Sequence, residues 1–359
     1  MTTNNVVEEE FHCLHQDTSV ESFQVFLFPQ SVPVIKPQFG FDNSIVGISS
    51  KFRGLVGLTV GSHYFWFDLG NHCRISFFVW FDFNTVFAPS YENDQFECTA
   101  PFREQDVLRI INSYEDFLCQ WTENQNQWKL LTRYISQRLL EIILPAKNSG
   151  QLCADIPFFS MYEEFDCAEK CKELGVTAVN LKRWATRNQI FKFEAGSLLC
   201  FTEIPFLLPT TNNYIDGFVD LFGTEVEYTF LARLLKHFNF EHNGMGEFEF
   251  SFVTFWYGHI AACADQWLRI LHFLCLMSVE VLEYQICYHK FLTTFHYQLD
   301  VMTPSFFSKH VQTNKWVAGS LPLIKRNIGD NGLVRVELRQ KARNLQEFLA
   351  TKFNFSLFN

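Results

Sequence analysis

The residues of this sequence best suited to chemistry are two cysteines one helical turn apart, Cys167 and Cys171. This spacing puts both thiols on one face of a helix, where they can bind zinc if two further ligands approach them. Zinc sites usually show two closely spaced ligand pairs, and no second pair is evident. Cys13 with His12 and His15 is a weaker set. We expect two unlinked thiols, and a thiol- or zinc-dependent protein built on Cys167 and Cys171 stays as an alternative.

The sequence lacks the local patterns of common enzyme classes. It has no Walker or Gly-x-Gly-x-x-Gly phosphate loop, no Gly-x-Ser-x-Gly elbow and no His-Glu-x-x-His helix. His289 and His296 can lie on one side of a helix beside Glu283, but histidines on an aromatic-rich face are mostly packing or surface groups. We therefore predict a protein without catalytic residues, cofactor or metal, and not an enzyme.

Composition favours a globular chain with a protein partner. The 359 residues are enough for two compact domains, and 42 of them are phenylalanine. The net charge of -10 disfavours a general affinity for nucleic-acid phosphates. The eleven cysteines are dispersed and odd in number, and the first ten residues do not resemble a signal peptide, so we expect a reducing compartment. The longest apolar region, 248–279, is interrupted by Asp265 and Arg269, which predicts a core helix or helix pair and no membrane span.

The periodicity of apolar residues predicts an α+β protein. Alternating runs at 21–28, 55–60, 63–69 and 74–83 predict strands. From Pro101 onward the period becomes helical, with one helix ending near Leu118 and a second over 128–144. We expect residues 1–145 to form a β-rich N-terminal domain, a sandwich-like sheet with flanking helices.

The remainder of the chain predicts a connector and a helical domain. Residues 146–212 are irregular and include a strand-like segment at 196–205, so we expect a connector partly packed on the N-terminal domain. Residues 213–355 predict an all-α C-terminal domain, a helical bundle or solenoid-like array, with helices at 281–299 and along the apolar face from Leu338 to Phe353. Trp267 suits an interface anchor, but it shares the apolar face of its helix, which favours the core.

The segment from Lys325 to Lys352 is locally basic. It suits an RNA-binding module that uses the basic C-terminal helix, which stays as an alternative. Aromatic stacking platforms are not interleaved with its charges. The solvated side of an amphipathic helix, or an electrostatic patch for an acidic partner, therefore fits better, and we expect no direct contact with RNA.

Several glycine- and aromatic-rich motifs recur in one known family. Phe39-Gly-Phe-Asp42, Lys51-Phe-Arg-Gly54 and Gly61-Ser-His63 resemble its Phe-Gly-x-Asp, Lys-Phe-(Lys or Arg)-Gly and Gly-x-His. Downstream, similar motifs are Phe201-Thr-Glu-Ile-Pro205, Gly246-Glu-Phe-Glu-Phe250, Gln266-Trp-Leu-Arg-Ile-Leu271, Tyr297-Gln-Leu299 and Thr351-Lys-Phe353. The sequence is identified as resembling the Aar-two splicing factors (A-one-cistron splicing factor), assembly factors of the U-five small nuclear ribonucleoprotein (snRNP).

This resemblance implies a non-enzymatic pre-mRNA splicing factor with a β-rich N-terminal domain and an all-helical C-terminal domain. The family binds the RNase-H-like and Jab/MPN-like domains of the spliceosomal scaffold Prp-eight, and so delays the helicase Brr-two. A cytoplasmic and nuclear location follows from it. The sequence departs from the family where a tryptophan is common, since Ile45 or Val46 stands there, and where Pro-Gly is common, since it has Val60-Gly61.

The resemblance also supplies candidate partner-binding residues. Lys51 and Arg53 are the candidate rim charges, and the glycines near them are structural supports. Motifs rich in glycine and phenylalanine are also typical of core packing, so a purely structural role stays open for all the candidate residues. The candidates are Phe39, Gly40, Asp42, Lys51, Phe52, Arg53, Gly54, Gly61, His63, Gly246, Glu247, Trp267 and Phe353.

Overall fold

A computed structural model of the chain gives the architecture of most of the sequence. The set of His12, Cys13 and His15 and the first part of the helix predicted to end near Leu118 lie outside the residues it describes. The described residues are 24–29, 38–49, 51–68, 74–83, 85–92, 95–98, 109, 112–121, 125–145, 150–153, 156–177, 179–189, 198–209, 218–227, 231–236, 243–277 and 280–355.

The N-terminal part is a sandwich of two sheets, which confirms the predicted α+β class. The first sheet has the strand order β10-β4-β1-β7 and the second β11-β6-β5-β2-β3, and two further pairs are β8 with β9 and β12 with β13. The strands are β1 Gln24–Leu27, β2 Gln38–Phe41, β3 Ser44–Val46, β4 Gly54–Val56, β5 Gly61–Asp68, β6 Arg74–Phe81, β7 Thr85–Phe87, β8 Pro89–Glu92, β9 Gln95–Cys98, β10 Leu118–Gln120, β11 Leu152–Cys153, β12 Leu208–Pro209 and β13 Phe218–Val219.

Phenylalanine rings fill the space between the two sheets. Alternate residues of a strand face opposite sides, so Phe65 and Phe67 of β5 both point toward the first sheet. The ring centroid of Phe26, from β1, lies 4.8 Å from that of Phe65 and 5.2 Å from that of Phe39. Such aromatic pairs stabilise a core beyond the area they bury.

The opposite face of the second sheet is covered by helices. Tyr64, Trp66 and Phe78 lie on that face and belong to the same hydrophobic cluster as the helical residues. The ring of Phe78 stacks on that of Phe250 at 5.1 Å. A sheet buried on both faces explains why β5 reads as a continuous apolar run instead of an alternating one.

The helices of the C-terminal part pack around the buried helix α5. The region predicted as a helix or helix pair is a pair, α5 and α6, separated at His259, whose φ of 59° ends the first helix. Single turns of π-helix occupy Ser308–Gln312 and Lys325–Gly329, and residues 231–236 are also helical. The helices are α1 Gln125–Leu131, α2 Gln137–Ile143, α3 Met161–Glu173, α4 Leu181–Arg187, α5 Asn243–Gly258, α6 Ala261–Leu276, α7 Glu280–Glu283, α8 Gln285–Val301, α9 Pro304–Phe307, α10 Lys315–Ser320 and α11 Val336–Phe353.

Three local predictions were wrong. The helix predicted over 128–144 is two helices, because Ser136 is extended and its hydroxyl caps α2 by accepting from the Leu139 N–H at 3.2 Å. Residues 112–117 are helical as predicted, but Leu118 itself belongs to β10, because it pairs with Gly54 of β4. Residues 198–205 form no strand, since the Cys200 N–H donates to the Ile143 carbonyl and the Thr202 N–H to a helix carboxylate.

The connector joins both parts of the molecule. Its strand β11 pairs with β6 of the second sheet, with Leu152 opposite Ser76. Its helix α3 begins with a capping box at Ser160 and Glu163 and packs by its start against α6. Among the helices that the structure describes, none is both long and apolar enough to cross a bilayer.

Candidate functional site

The first candidate cluster is the pair of Asp42 and His63. Asp42 follows β2 in a left-handed conformation, with φ of 51°. One of its carboxylate oxygens accepts from the Tyr64 N–H at 3.0 Å, and the other lies 2.8 Å from His63 Nδ1. The second ring nitrogen of His63 lies 2.7 Å from the Thr59 carbonyl.

Both ring nitrogens of His63 therefore lie beside oxygen atoms that can accept a hydrogen bond, which favours a protonated ring next to the Asp42 carboxylate. Burial acts against this charge separation, because it raises the pKa of Asp42. Burial lowers the pKa of His63, but the Asp42 carboxylate and the Thr59 carbonyl together outweigh burial and raise it above its ordinary value. Both side chains are only 2% exposed. The pair fixes the turn after β2 and offers no open face to a substrate.

The neighbouring Phe-Gly motif supports the junction between sheet and helices. Phe39 points into the sandwich, and Gly40 points to the helical side, where a Cβ would lie 2.1 Å from the Trp66 ring. The Arg74 guanidinium lies 3.8 Å from the centroid of that ring and donates to the Tyr257 carbonyl at 2.6 Å. Gly40 thus leaves room for the indole that carries this link to α5.

The Lys51–Gly54 motif is divided between core and surface. Phe52 is buried in the sandwich, and a Cβ on Gly54 would lie 2.0 Å from the Phe26 carbonyl oxygen. Lys51 is exposed. Arg53 is partly exposed, donates to the Phe52 carbonyl at 3.0 Å and lies over the Phe117 ring at 5.9 Å.

The helical motifs hold α5 against its neighbours. A Cβ on Gly246 would lie 2.4 Å from the Tyr134 carbonyl oxygen. The Glu247 carboxylate accepts from the Thr202 N–H at 3.0 Å and from the Gln266 amide at 2.7 Å. Burial raises the pKa of Glu247 to about 7. These contacts join α5 to the α1–α2 loop, the connector and α6.

Two further candidates also lie inside. Trp267 is 0% exposed, and its indole N–H donates to the Gln298 side-chain oxygen at 2.9 Å, which agrees with the core position favoured by its spacing. Phe353 stacks on Phe307 at 4.3 Å. Gly61 begins β5 with φ of 136° and has open space around it. Of all the candidate residues, only Lys51, Arg53 and Gly61 reach solvent, and partner binding by them stays a prediction.

The thiols of Cys167 and Cys171 lie on the buried side of α3. Burial raises the pKa of both, which disfavours the thiolate that binds metal or attacks a substrate. Across the part of the chain that the structure describes, no three His, Cys, Asp or Glu side chains converge as metal ligands do. The zinc alternative therefore gains no further ligand from these residues.

The basic segment is not one continuous charged face. Lys352 donates to the carbonyls of Leu299 and Asp300 at the C-terminal end of α8. Lys341 instead donates to the Thr293 hydroxyl at 2.9 Å, and Arg343 to the Gly329 carbonyl at 3.4 Å. Cations at helix C-termini stabilise the fold, so part of this basic character is structural.

A cavity of about 380 Å³ lies between the connector and α6. Arg269 lies at its wall, where it binds Glu164 at 2.5 Å and Asp265 at 2.7 Å. Sequence reasoning did not identify this network, although a charged pair four residues apart inside an apolar helix is a recognisable signal. The cavity is lined mainly by apolar side chains, among them Phe158, Leu181, Leu198, Phe201, Ile204 and Phe222.

Comparison with known proteins accounts for these shared motifs. Residues 24–145 match the AAR2 N-terminal domain, and residues 225–358 match the AAR2 C-terminal repeat region. The human Protein AAR2 homolog is 23% identical over 339 residues, which cover 89% of this chain and 86% of the human protein. The Caenorhabditis elegans Protein AAR2 homolog is 24% identical over 352 residues, covering 93% and 94% of the two chains. Because both halves match and the relatives align along most of its length, the chain belongs to the AAR2 family.

Proposed function

We propose that the protein is a non-enzymatic pre-mRNA splicing factor that assists assembly of the U-five snRNP. In this proposal it binds the RNase-H-like and Jab/MPN-like region of the scaffold Prp-eight and delays binding of the helicase Brr-two. Membership of the AAR2 family across both halves supports a role in splicing. We place the protein in the cytoplasm and the nucleus, where such particles are assembled.

The observation that carries this proposal is the junction between the sheet and the helices. One hydrophobic cluster runs from Tyr64 and Trp66 on the sheet to Phe250 on α5. Polar contacts also join the two halves, since Arg74 of β6 donates to the Tyr257 carbonyl of α5 at 2.6 Å, and the Tyr134 N–H of the α1–α2 loop donates to Glu249 of α5 at 2.6 Å. The two halves therefore present their outer surfaces at a fixed distance and angle.

A rigid pair of surfaces suits an assembly factor. Holding two domains of one scaffold in a set arrangement costs less ordering entropy when the binding protein is already ordered. The titratable groups that could do chemistry, such as Asp42, His63 and Glu247, are buried and bonded to neighbouring groups. This arrangement supports a binding protein more than an enzyme.

Within the family motifs, Lys51 and Arg53 are the side chains that we propose at the rim of the partner contact. They lie two residues apart in the loop before β4, on either side of buried Phe52, and both reach solvent. Rim charges mainly affect the association rate and the salt dependence of binding. We therefore expect Lys51 and Arg53 to contribute modestly to the affinity for the partner, by an amount that depends on ionic strength.

The test is co-elution of the purified protein with the RNase-H-like and Jab/MPN-like domains of the cognate Prp-eight on a sizing column. We expect a complex, and we expect added Brr-two to be excluded while it persists. Clean separation at micromolar concentrations would contradict the partner assignment.

A pair of charge reversals then tests the rim. Lys51→Glu with Arg53→Glu should weaken binding about fivefold to tenfold, more at low salt than at high salt. Lys170→Glu with Arg187→Glu, both exposed and outside the motifs, makes the same change in net charge and serves as the control. Equal binding by the two double variants would remove Lys51 and Arg53 from the contact.

A further inference from the structure

We infer that a cationic stripe along α8 binds an acidic segment of a protein partner. The cationic stripe consists of Arg133, His289, Lys290 and Lys341. None of these residues belongs to a family motif, and the inference does not require that the partner be Prp-eight. It rests on how three separate elements bring positive charge to one surface.

The stripe is assembled by packing. Helix α8 packs against both α1 and α11. Arg133 from the loop and Lys290 from α8 approach the Tyr134 ring, with the Arg133 guanidinium carbon 5.6 Å and the Lys290 ammonium 5.5 Å from its centroid. From α11, the Lys341 ammonium reaches across and donates to the Thr293 hydroxyl at 2.9 Å.

His289 lies in the middle of the stripe, and its pKa responds to the charges around it. It is exposed on α8, and its pKa is lowered first by partial burial and then by Lys341 and Arg133. His296, two turns further along, has a pKa lowered by burial and by Lys341 and Lys352, against the opposing Asp300. Lys341 therefore acts on both rings, which lie about 10 Å apart along the helix at a rise of 1.5 Å per residue, although Asp300 offsets its effect at His296.

Among the described residues, Glu249 contributes to the charge around Arg133, and Asp300 contributes to the charge around His296. Glu249 is buried beneath the α1–α2 loop, where it accepts from the Tyr134 N–H at 2.6 Å, and burial raises its pKa well above the ordinary value. Asp300 lies at the far end of α8, 4.0 Å from Lys352. At exposed His289 itself, the neighbouring charges that act on the ring are the cations Lys341 and Arg133.

This charge stands out because the chain has 29 Lys and Arg against 39 Asp and Glu. An acidic partner is repelled by most of the surface and attracted to the stripe, which orients its approach. Cations spread along a helix match carboxylates spread along an extended peptide. A single phosphate would need donors that converge on one point.

RNA fits this surface less well than an acidic peptide does. Binding of single strands needs open aromatic faces on which bases stack. The Tyr134 ring is approached by Arg133 and Lys290, and the Phe348 ring is approached by His296 at 4.6 Å between centroids and by the Lys352 ammonium at 5.4 Å. The nearby rings are therefore engaged by cations of the protein itself.

The test uses the full chain and fluorescence anisotropy with a labelled polyglutamate peptide of about ten residues, which would span the stripe. A polyglutamine peptide of equal length and a labelled oligouridine are the comparison probes. We expect the wild-type protein to bind polyglutamate and not polyglutamine, with affinity that falls as salt rises from about 0.05 to 0.5 M.

Charge reversal then locates the contact. Arg133→Glu with Lys341→Glu should weaken polyglutamate binding about tenfold or more, while the control Lys170→Glu with Arg187→Glu changes it less than about twofold. If the reversed variant is not folded by circular dichroism, Arg133→Gln with Lys341→Gln replaces it.

Three results would overturn the inference. They are failure of the wild type to bind polyglutamate, equal loss of binding in the stripe and control variants, and unchanged binding in the stripe variant. Binding of oligouridine alone, abolished by the stripe variant, would assign the surface to nucleic acid. None of these results bears on co-elution with Prp-eight domains, so this inference and the proposed function can fail separately.

Discussion

Replacing Gly246 by alanine should destabilise the protein at the junction between its two halves. Gly246 lies in the first turns of α5 and has no left-handed backbone that would require glycine. In an open helix this substitution would stabilise by about 0.5–1 kcal/mol. Here the new Cβ would lie 2.4 Å from the Tyr134 carbonyl oxygen and 2.6 Å from a Leu139 methyl carbon.

The cost of that overlap follows from what can move. Leu139 is buried, and the α1–α2 loop is held to α5 by the bond from the Tyr134 N–H to Glu249. Either the loop or α5 must therefore shift, and overpacking of this kind costs about 1–3 kcal/mol. Because the overlap involves a backbone oxygen, we take the upper end of this range, about 3 kcal/mol. After the gain in helix propensity, the net loss of unfolding free energy is about 2 kcal/mol.

Gly319→Ala is the matched control. Gly319 lies in α10, is exposed, and its added Cβ would meet nothing within 4 Å. The Gly319→Ala variant should gain about 0.5–1 kcal/mol of unfolding free energy. Urea unfolding should therefore separate the two variants by about 3 kcal/mol. A Gly246→Ala protein as stable as the wild type would refute the steric argument, and a destabilised Gly319→Ala protein would show that the bookkeeping of helix propensity fails here.

Two other substitutions test the buried polar groups of α5 and α6. The pKa of Glu247 is about 7 in the folded state, against an ordinary value of 4.5. Between these two pH values the folded state binds more protons than the unfolded state. The free energy of unfolding therefore falls as the pH rises from 4.5 to 7. Glu247→Gln should therefore match the wild type near pH 4.5 and exceed it above pH 7 by up to roughly 3 kcal/mol in urea unfolding, whereas a variant less stable at high pH would contradict the raised pKa. Trp267→Ala should cost about 3–5 kcal/mol of unfolding free energy, and Trp267→Phe about 1–3 kcal/mol because Gln298 loses its donor. An unchanged melting temperature for Trp267→Ala would mean that this indole does not support the core.

The elements predicted best from the sequence are long and strongly periodic. The apolar face from Leu338 to Phe353 predicted α11, and all the residues of that face are buried. The break at 132–136 was missed, although Ser136 three residues before Leu139 is a common N-cap pattern. Leu118 could not be placed from local sequence, because its strand exists only through pairing with β4. At this residue the pairing with another strand overrides the helical spacing of the local sequence.

The motifs of the candidate site could be recognised in the sequence, but the place of each residue in the fold could not. A glycine beside aromatic residues predicts either a turn or a close approach, and the choice depends on the opposing side chain. For Gly40 that side chain is Trp66, and for Gly246 the opposing group is the Tyr134 carbonyl, both distant in sequence. The cationic stripe was also out of reach, since Arg133, Lys290 and Lys341 meet only in the folded chain.

The sheet that is covered on both faces has a consequence for synthesis of the protein. Tyr64, Trp66 and Phe78 emerge from the ribosome long before Phe250, the ring on which Phe78 stacks. At about 5–20 residues per second, the 172 residues from position 79 through Phe250 take roughly 10–30 s to translate. During that interval the nascent N-terminal half exposes the part of this aromatic face that α5 later covers, while Trp128 of α1 already stacks on Phe78. The family matches the two halves as separate units, but the first half buries this face fully only when α5 of the second half has been made.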